Sequence, residues 1–252
     1  MLCFLRDDAA QNLFTVDALE LSIGGRDAEV PALLVETPGG NKVRVVGKVD
    51  RVDTLQKDGH TYLRIIDYKT GNKKFDLADV YHGLNMQMLV YMAALEQGGG
   101  ARYPNALPAA VLYLRSDPTP ETAGREEKTP PLFSFDGLIL NEPAILRAMD
   151  SEGTGIFLPV TYKNDGTPKA GNKRLASLAK LGLIRAHVED MLAHMADDVY
   201  AGRFGAYPLA KDKERPCGYC DYRIICRHRD GQDERPREAP KDIFTPAEEV
   251  AP

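Results

Sequence analysis

Two aspartates and a lysine within Val43–Gly71 are spaced so that a single β-hairpin would bring their side chains together. β-Branched residues flank a turn signal at Asp58-Gly59, which is typical of two antiparallel strands joined by a tight turn. A two-residue loop there places Asp50 directly opposite Asp67, and Lys69 projects to the same face as Asp67. Because directly opposed like charges destabilise a sheet, the pattern predicts a bound divalent cation, with Asp oxygens as ligands and the ammonium beside it.

The alternative interpretation is that both aspartates are solvated charges on the exposed face of a hairpin. The residues before Asp67 favour the first interpretation, because Ile65-Ile66 makes this strand too apolar for a solvated edge. We therefore expect Asp67 to lie at the end of a central strand.

The flanking sequence predicts elements in the order βββαβ, followed by a long C-terminal helix. Hydrophobic periodicity and turn residues give the bounds. These elements are a strand near Val16–Ile23, hairpin strands over Val43–Val52 and Tyr62–Tyr68, a helix over Asp79–Gln97 capped by Asp76 and closed by Gly98–Gly100, a strand over Ala109–Leu114, and helical periodicity over Leu175–Tyr200. The Pro-, Glu- and Thr-rich stretch Arg115–Leu132 is predicted to be a loop. Gln87 and Tyr91 are four residues apart, hence on one helix face.

The segments GKVDRVD and IIDYKTG, followed by GLNMQMLVYMAAL, resemble the RecB-type branch of the PD-(D/E)xK nuclease superfamily. In this resemblance Asp50 matches the first motif aspartate, Asp67 and Lys69 match the D-x-K element, and Gln87 with Tyr91 matches the Q-x-x-x-Y helix motif. The resemblance implies an α/β fold with a restriction-endonuclease-like core, a mixed sheet flanked by helices, and Mg²⁺-dependent deoxyribonuclease activity.

The charges of such a site indicate how it would hydrolyse a phosphodiester. Mg²⁺ bound by Asp50, Asp67 and the backbone carbonyl of Tyr68 would lower the pKa of a water and neutralise developing charge. Lys69 would orient that water, while the helix motif would position the DNA backbone.

A second cluster is the C-x₂-C-x₅-C run formed by Cys217, Cys220 and Cys226 in a chain with four cysteines in total. Such spacing by itself favours zinc, with His228 completing a Cys₃His site, over an iron–sulfur cluster. Disulfides are less favoured, because nothing else in the sequence indicates a secreted protein.

Four further stretches resemble the AddB/RexB family, the second subunits of bacterial AddAB helicase–nucleases. They are LELSIGG at 19–25, FDGLILNE at 135–142, TYKNDGTPK at 161–169 and AYPLAKDKERPCGYCDYRIICR at 206–227. The resemblance implies that Cys217, Cys220 and Cys226 join one upstream cysteine around a [4Fe–4S] cluster, and that the partners are DNA and an AddA/RexA-like helicase–nuclease subunit. It also favours iron–sulfur over zinc.

The chain departs from that family in two places. The upstream cysteine normally follows a Cys-Pro-aromatic pattern well before the nuclease strands, whereas Cys3 lies in Leu-Cys-Phe-Leu close to them. Many relatives also place a histidine ahead of the first motif, and none of the five histidines here precedes Asp50. We therefore expect an opening helix that is largely missing and a chain that is part of a longer subunit.

Composition predicts one intracellular domain with additional segments. The chain has 252 residues, 43% of them hydrophobic, with no apolar run near 18 residues, so we expect a core but no membrane span. The N-terminus lacks the basic start of a signal peptide, and the cytoplasm is the expected location. The net charge of the chain is −5. Residues 163–229 nevertheless carry 13 Lys and Arg against 8 Asp and Glu, and this surplus of positive charge could contact the phosphates of a nucleic acid. The P-loop pattern of ATP-driven motors does not occur in the sequence.

These observations predict a nuclease domain over 1–206, an iron–sulfur segment over 207–229 and a disordered tail over 230–252. The predicted function is a Mg²⁺-dependent exonuclease of an AddAB-type helicase–nuclease, acting on one strand of a DNA end in double-strand break repair and recombination. Two alternatives remain open, a stand-alone Cas4-like exonuclease and a non-catalytic clamp that binds DNA ends.

Overall fold

A six-stranded mixed sheet forms the centre of the protein in the computed structural model, which describes residues 1–70, 74–115, 133–209, 216–229, 234–235, 238–240 and 243–247. The strands are β1 Thr15–Ile23, β2 Leu33–Glu36, β3 Lys42–Val45, β4 Gly47–Lys57, β5 His60–Lys69, β6 Ala106–Arg115, β7 Phe135–Leu140 and β8 Leu175–Ala176. The helices are α1 Leu2–Gln11, α2 Leu77–Tyr81, α3 Gln87–Gly98, α4 Pro143–Met149, α5 Leu178–Tyr200 and α6 Arg223–Cys226, with a 3₁₀ turn at Pro216–Tyr219. The large sheet has the order β1-β4-β5-β6-β7-β8.

The hairpin β4–β5 forms at the predicted turn. Asp58 and Gly59 adopt φ angles of 53° and 77°, the left-handed pair that a two-residue type I′ loop requires. The register runs from the pair next to the turn to Arg51 opposite Ile66, which confirms the predicted pairing. Strand β5 lies between antiparallel β4 and parallel β6, so it is central, as its apolar composition predicted.

The predicted strand over Val43–Val52 is wrong in one respect, because it is two strands that belong to different sheets. Strand β3 pairs with β2 in a separate two-stranded sheet, and β4 begins at Gly47. Val46 lies between them and is exposed. Valines recur on both sides of Val46, so hydrophobicity alone does not mark the break, which falls next to Gly47, a residue type depleted in strands. The predicted order βββαβ therefore gains an extra hairpin before the active-site strands.

The single helix predicted over Asp79–Gln97 is also wrong, because the structure has two helices, α2 and α3. Between them Gly83 and Asn85 have φ angles of 82° and 56°, in the left-handed region that ends a helix. Asp76 caps the first helix as predicted, accepting a hydrogen bond of 2.9 Å from the Ala78 amide. The break makes Gln87 the first residue of the second helix.

Two hydrophobic clusters cover the two faces of the sheet. One packs the sheet against α3 and α5, and the other packs it against α4 and the Phe14 region. This arrangement is the mixed sheet flanked by helices that the sequence predicted. Within the described ranges, no helix is long and apolar enough to cross a membrane.

The remaining predictions fall partly outside the described residues. The predicted loop at Arg115–Leu132 lies almost wholly outside them, as does much of the tail after Arg229. Two of the described tail residues make contacts with the rest of the protein. Arg235 donates to the Tyr207 carbonyl, and Phe244 packs against the ring of His187.

Candidate active site

Asp50 and Asp67 occupy the ends of β4 and β5, one position beyond the last backbone pair of the hairpin. Asp50 Oδ2 accepts a hydrogen bond of 2.9 Å from the Tyr68 amide, so this carboxylate is held against the neighbouring strand. Asp67 is 8% exposed. The structure therefore brings the two predicted carboxylates to one end of a central hairpin.

Lys69 places its ammonium beside the second of these carboxylates. The distance from Lys69 Nζ to Asp67 Oδ2 is 2.5 Å, and the same Nζ lies 5.7 Å from the centre of the Tyr113 ring. A cation therefore already neutralises Asp67, which reduces the repulsion that the sequence predicted between the two aspartates.

Helix α3 contributes two more side chains to the group formed by the aspartates and Lys69. Gln87 Oε1 accepts a hydrogen bond of 3.5 Å from Lys69 Nζ, and Gln87 Nε2 donates one of 3.3 Å to the Tyr91 hydroxyl. Tyr91 can approach because β4 begins with glycine: a Cβ at Gly47 would lie 2.6 Å from its hydroxyl. Side chains from a strand and a helix thus form one chain of contacts beginning at Asp67.

Tyr113 is a member of the site that sequence reasoning missed. It lies on β6, paired with Asp67 on one side and with Asp136 of β7 on the other. Burial, and then the negative charges of Asp67, Asp136 and Asp79, raise the pKa of its hydroxyl to about 12. Only the register across three strands reveals this neighbour, because locally it is one aromatic residue in an apolar strand.

A buried charge network lies on the opposite face of the same hairpin. Asp53 accepts hydrogen bonds from Arg51 at 2.7 and 3.0 Å and from Arg64 at 2.7 and 2.9 Å. Arg64 also contacts Asp8 of helix α1 at 3.2 Å. The network ties α1 to the strands that carry the carboxylates. Asp53, the second aspartate of GKVDRVD, is the residue that could have indicated this network, because strand alternation places it on the face opposite Asp50.

The donor set at the two aspartates fits a hard divalent cation. Mg²⁺ is commonly bound by one or two carboxylates together with waters and substrate phosphates. Asp50 and Asp67 supply those oxygens at a nearly buried position where a cation, the Lys69 ammonium, already sits. No group of three His, Cys, Asp or Glu side chains that could hold a metal ion occurs among the described residues. Two carboxylates with a backbone carbonyl and waters would not form such a group.

The cysteine run extends from the short 3₁₀ turn, which contains Cys217, through Cys220 in the following loop to Cys226 in helix α6. The Cys220 amide donates to the Cys217 carbonyl at 3.5 Å, and Cys226 is the last residue of α6. All three thiols are free and at least partly exposed, as is Cys3 on α1. Their donor chemistry suits a thiolate-bound metal, although in the described part of the chain they do not converge into a three-ligand group.

Comparisons with known proteins identify the family of this chain. The model of the PD-(D/E)XK nuclease superfamily matches residues 2–227. The B subunits of several bacterial ATP-dependent helicase/deoxyribonucleases are similar to this chain. The one from Clostridium acetobutylicum is 35% identical over 208 residues, or 78% of this chain and 18% of the relative. Those from Clostridium botulinum and Clostridium tetani are 36% and 33% identical, over 80% and 85% of this chain. The chain spans about a fifth of their length. Because the family model matches most of its length, the chain belongs to the PD-(D/E)XK nuclease superfamily.

Proposed function

We propose that this chain is the nuclease domain of an AddAB-type helicase–nuclease, a Mg²⁺-dependent exonuclease that hydrolyses one strand of a DNA end in cytoplasmic break repair and recombination. The observation that carries the proposal is the contact group at the end of the hairpin: Asp50 and Asp67 with Lys69 Nζ 2.5 Å from an Asp67 oxygen. Two carboxylates and an ammonium at one nearly buried position suit a metal-assisted attack of water on a phosphodiester.

The side chains of this group would divide the work. A bound Mg²⁺ would lower the pKa of the attacking water and neutralise charge on the phosphate. Asp50 and Asp67, with the Tyr68 carbonyl, would hold that ion. Lys69 would orient the water and face the phosphate, and its bond to Gln87 limits where its ammonium can point. Gln87 and Tyr91 would contact the DNA backbone, so their loss should lower activity less than loss of an aspartate.

The experiment is a cleavage assay on labelled single-stranded and duplex DNA, with Mg²⁺ or with EDTA. We expect cleavage to require the metal and to be abolished in Asp67→Asn. The control is Asp190→Asn, an exposed carboxylate of α5 outside the site, which should cleave like the unmodified protein. Thermal melts should show both variants folded, because Asp67→Asn keeps the size of the side chain and removes one of two like charges at the end of the hairpin, while Lys69 keeps 23% of its side chain exposed to solvent.

The outcomes separate the proposal from its alternatives. Full activity of Asp67→Asn would refute the assignment of the active site to this group. Tight binding of DNA ends without any cleavage would replace the exonuclease with a non-catalytic clamp. Because the relatives are named as the B subunits of their enzymes, we propose that an AddA/RexA-like helicase–nuclease subunit is the partner.

We also propose that Cys217, Cys220 and Cys226 hold a [4Fe–4S] cluster. Support comes from three free, accessible thiols within ten residues. Zinc is the alternative, and His228 would be its fourth ligand. Its Nε2 is buried and makes no hydrogen bond within the described residues.

Purification without oxygen distinguishes the two metals. We expect brown protein that contains iron and loses it in Cys220→Ser, whereas Zn²⁺ is colourless. Cys3→Ser should change the iron content little. A colourless preparation with about one zinc per chain would overturn the iron–sulfur proposal.

A further inference from the structure

A cleft with three cationic side chains opens beside the candidate active site. Its volume is about 430 Å³, and Lys74, Arg115 and Arg174 line it. Asp136 is the only carboxylate among its described lining residues, so the lining carries a surplus of two positive charges. This surplus stands out in a chain whose net charge is −5.

The sheet register places this cleft next to the catalytic group. Tyr113 lines the cleft and pairs with Asp67 on one neighbouring strand, while Asp136 pairs with Tyr113 on the other. Adjacent strands are about 4.8 Å apart, so Asp136 lies about 10 Å from Asp67 along one face of the sheet. In the next row Arg115 pairs with Lys69. A ligand extending sideways from the aspartates therefore reaches the cations.

Arg174 is held in a fixed position within the cleft. Its Nη2 lies 2.8 Å from Asp136 Oδ1, and its Nη1 donates to the Phe75 carbonyl. Asp136 Oδ2 in turn accepts a hydrogen bond of 2.7 Å from the Phe75 amide. A guanidinium oriented in this way loses little conformational entropy when it binds a phosphate oxygen.

Apolar side chains also line the cleft. They include Pro159 and Ile156, and the latter is 51% exposed. A lining that contains both cationic and apolar side chains matches a nucleotide unit, which has an anionic phosphate and a less polar sugar and base. The volume is in the range of small-molecule sites, which suits a single strand rather than a duplex.

We infer that this cleft binds a backbone phosphate of single-stranded DNA next to the phosphate being cleaved, with Lys74 and Arg174 as its main contacts. The inference rests on the proposed nuclease function and deepens it by assigning the path of the strand. It also differs from the sequence interpretation, because Arg174 is the one basic residue of 163–229 that lines this cleft among the residues that the structure describes.

The test measures binding without catalysis. Fluorescence anisotropy of a labelled single-stranded oligonucleotide is recorded in EDTA over a range of salt concentrations, for the unmodified protein and for Lys74→Gln, Arg174→Gln and the double variant. The control is Lys169→Gln, an exposed lysine outside the cleft. Thermal melts verify folding, and Lys74→Gln keeps the test valid if Arg174→Gln disturbs Asp136, since Lys74 is exposed.

Each lost phosphate contact should reduce the slope of log affinity against log salt by about 0.7, and the double variant by about 1.4. The affinity deficit of the double variant should then be about sevenfold larger at about 50 mM salt than at about 200 mM. Lys169→Gln should match the unmodified protein, and a mononucleotide should compete poorly.

Specific outcomes overturn the inference. They are no binding by the unmodified protein, unchanged salt slopes in both cleft variants, or equal competition by the mononucleotide. Cleavage that is metal-dependent while the cleft variants bind normally would refute the cleft alone. Salt-sensitive binding through the cleft without any cleavage would refute the proposed function alone.

Discussion

Asp53→Asn tests whether the buried charge network behind the active site stabilises the fold. Asp53, Arg64 and Asp8 have side chains that are 0% exposed, and Arg51 is nearly buried as well. The two anions and two cations balance. Replacing Asp53 leaves two buried guanidinium groups with Asp8 as the only anion of the network. Removing one partner of a buried ion pair costs about 3–5 kcal/mol, because it leaves an uncompensated buried charge.

A loss of this size is large against a typical unfolding free energy of about 5–15 kcal/mol. For a chain of this length 1 kcal/mol corresponds to about 2–4 °C in melting temperature, so we expect a decrease of about 6–20 °C. Urea denaturation and thermal melts measure it. The matched control is Asp198→Asn, whose partner Arg203 lies 2.7 Å away, the same distance as between Asp53 and Arg64, but with both side chains more than half exposed.

The control should lose no more than about 1 kcal/mol, because solvent screens an exposed pair. If Asp53→Asn also lost less than about 1 kcal/mol, the network would not stabilise the fold in the way that its burial implies. Asp53→Asn should also make nuclease activity temperature-sensitive, since Arg51 adjoins Asp50 in the chain.

Two further predictions concern packing and pH. Gly47→Ala would put a Cβ 2.5 Å from Tyr91 Cε1, so it should lower the unfolding free energy by about 1–3 kcal/mol and lower cleavage by displacing Tyr91. The control is Gly182→Ala in α5, where a Cβ would meet nothing within 4 Å, and it should stabilise the protein by up to about 1 kcal/mol. Equal melting temperatures of the two variants would contradict the packing argument. Burial, and then the charge of Asp150, raise the pKa of Tyr162 to about 12 from a usual 10. Between these values the folded protein keeps the hydroxyl proton and the unfolded chain loses it, so the unfolding free energy should fall as the pH rises from about 10 to about 12. Tyr162→Phe should flatten that alkaline loss in melts across the same pH range, and an identical pH dependence would show that Tyr162 does not cause it.

Local sequence was sufficient for the hairpin and its chemical groups. Asp58-Gly59 specifies a two-residue turn, and a turn of known length determines which residues face each other on both strands. The spacing of Asp67 and Lys69 then places both on one face, and the four-residue spacing of Gln87 and Tyr91 places both on one side of a helix. These relations depend only on neighbouring residues, which is why they were predictable.

Tertiary structure decided which strands pair and what surrounds the site. Valines recur on both sides of Val46, and the stretch becomes two strands because β3 pairs with β2 whereas β4 pairs with β1. Likewise, the sequence near Tyr113 and Arg174 does not reveal that they line one cleft. Tyr113 is placed there by strand pairing across β5, β6 and β7, and Arg174 by its hydrogen bond to Phe75, from which it is separated by 99 residues in the sequence. The cysteine run shows the same division: its spacing identifies the donor atoms, but whether they converge depends on long-range packing, since short-range spacing does not determine which distant groups meet.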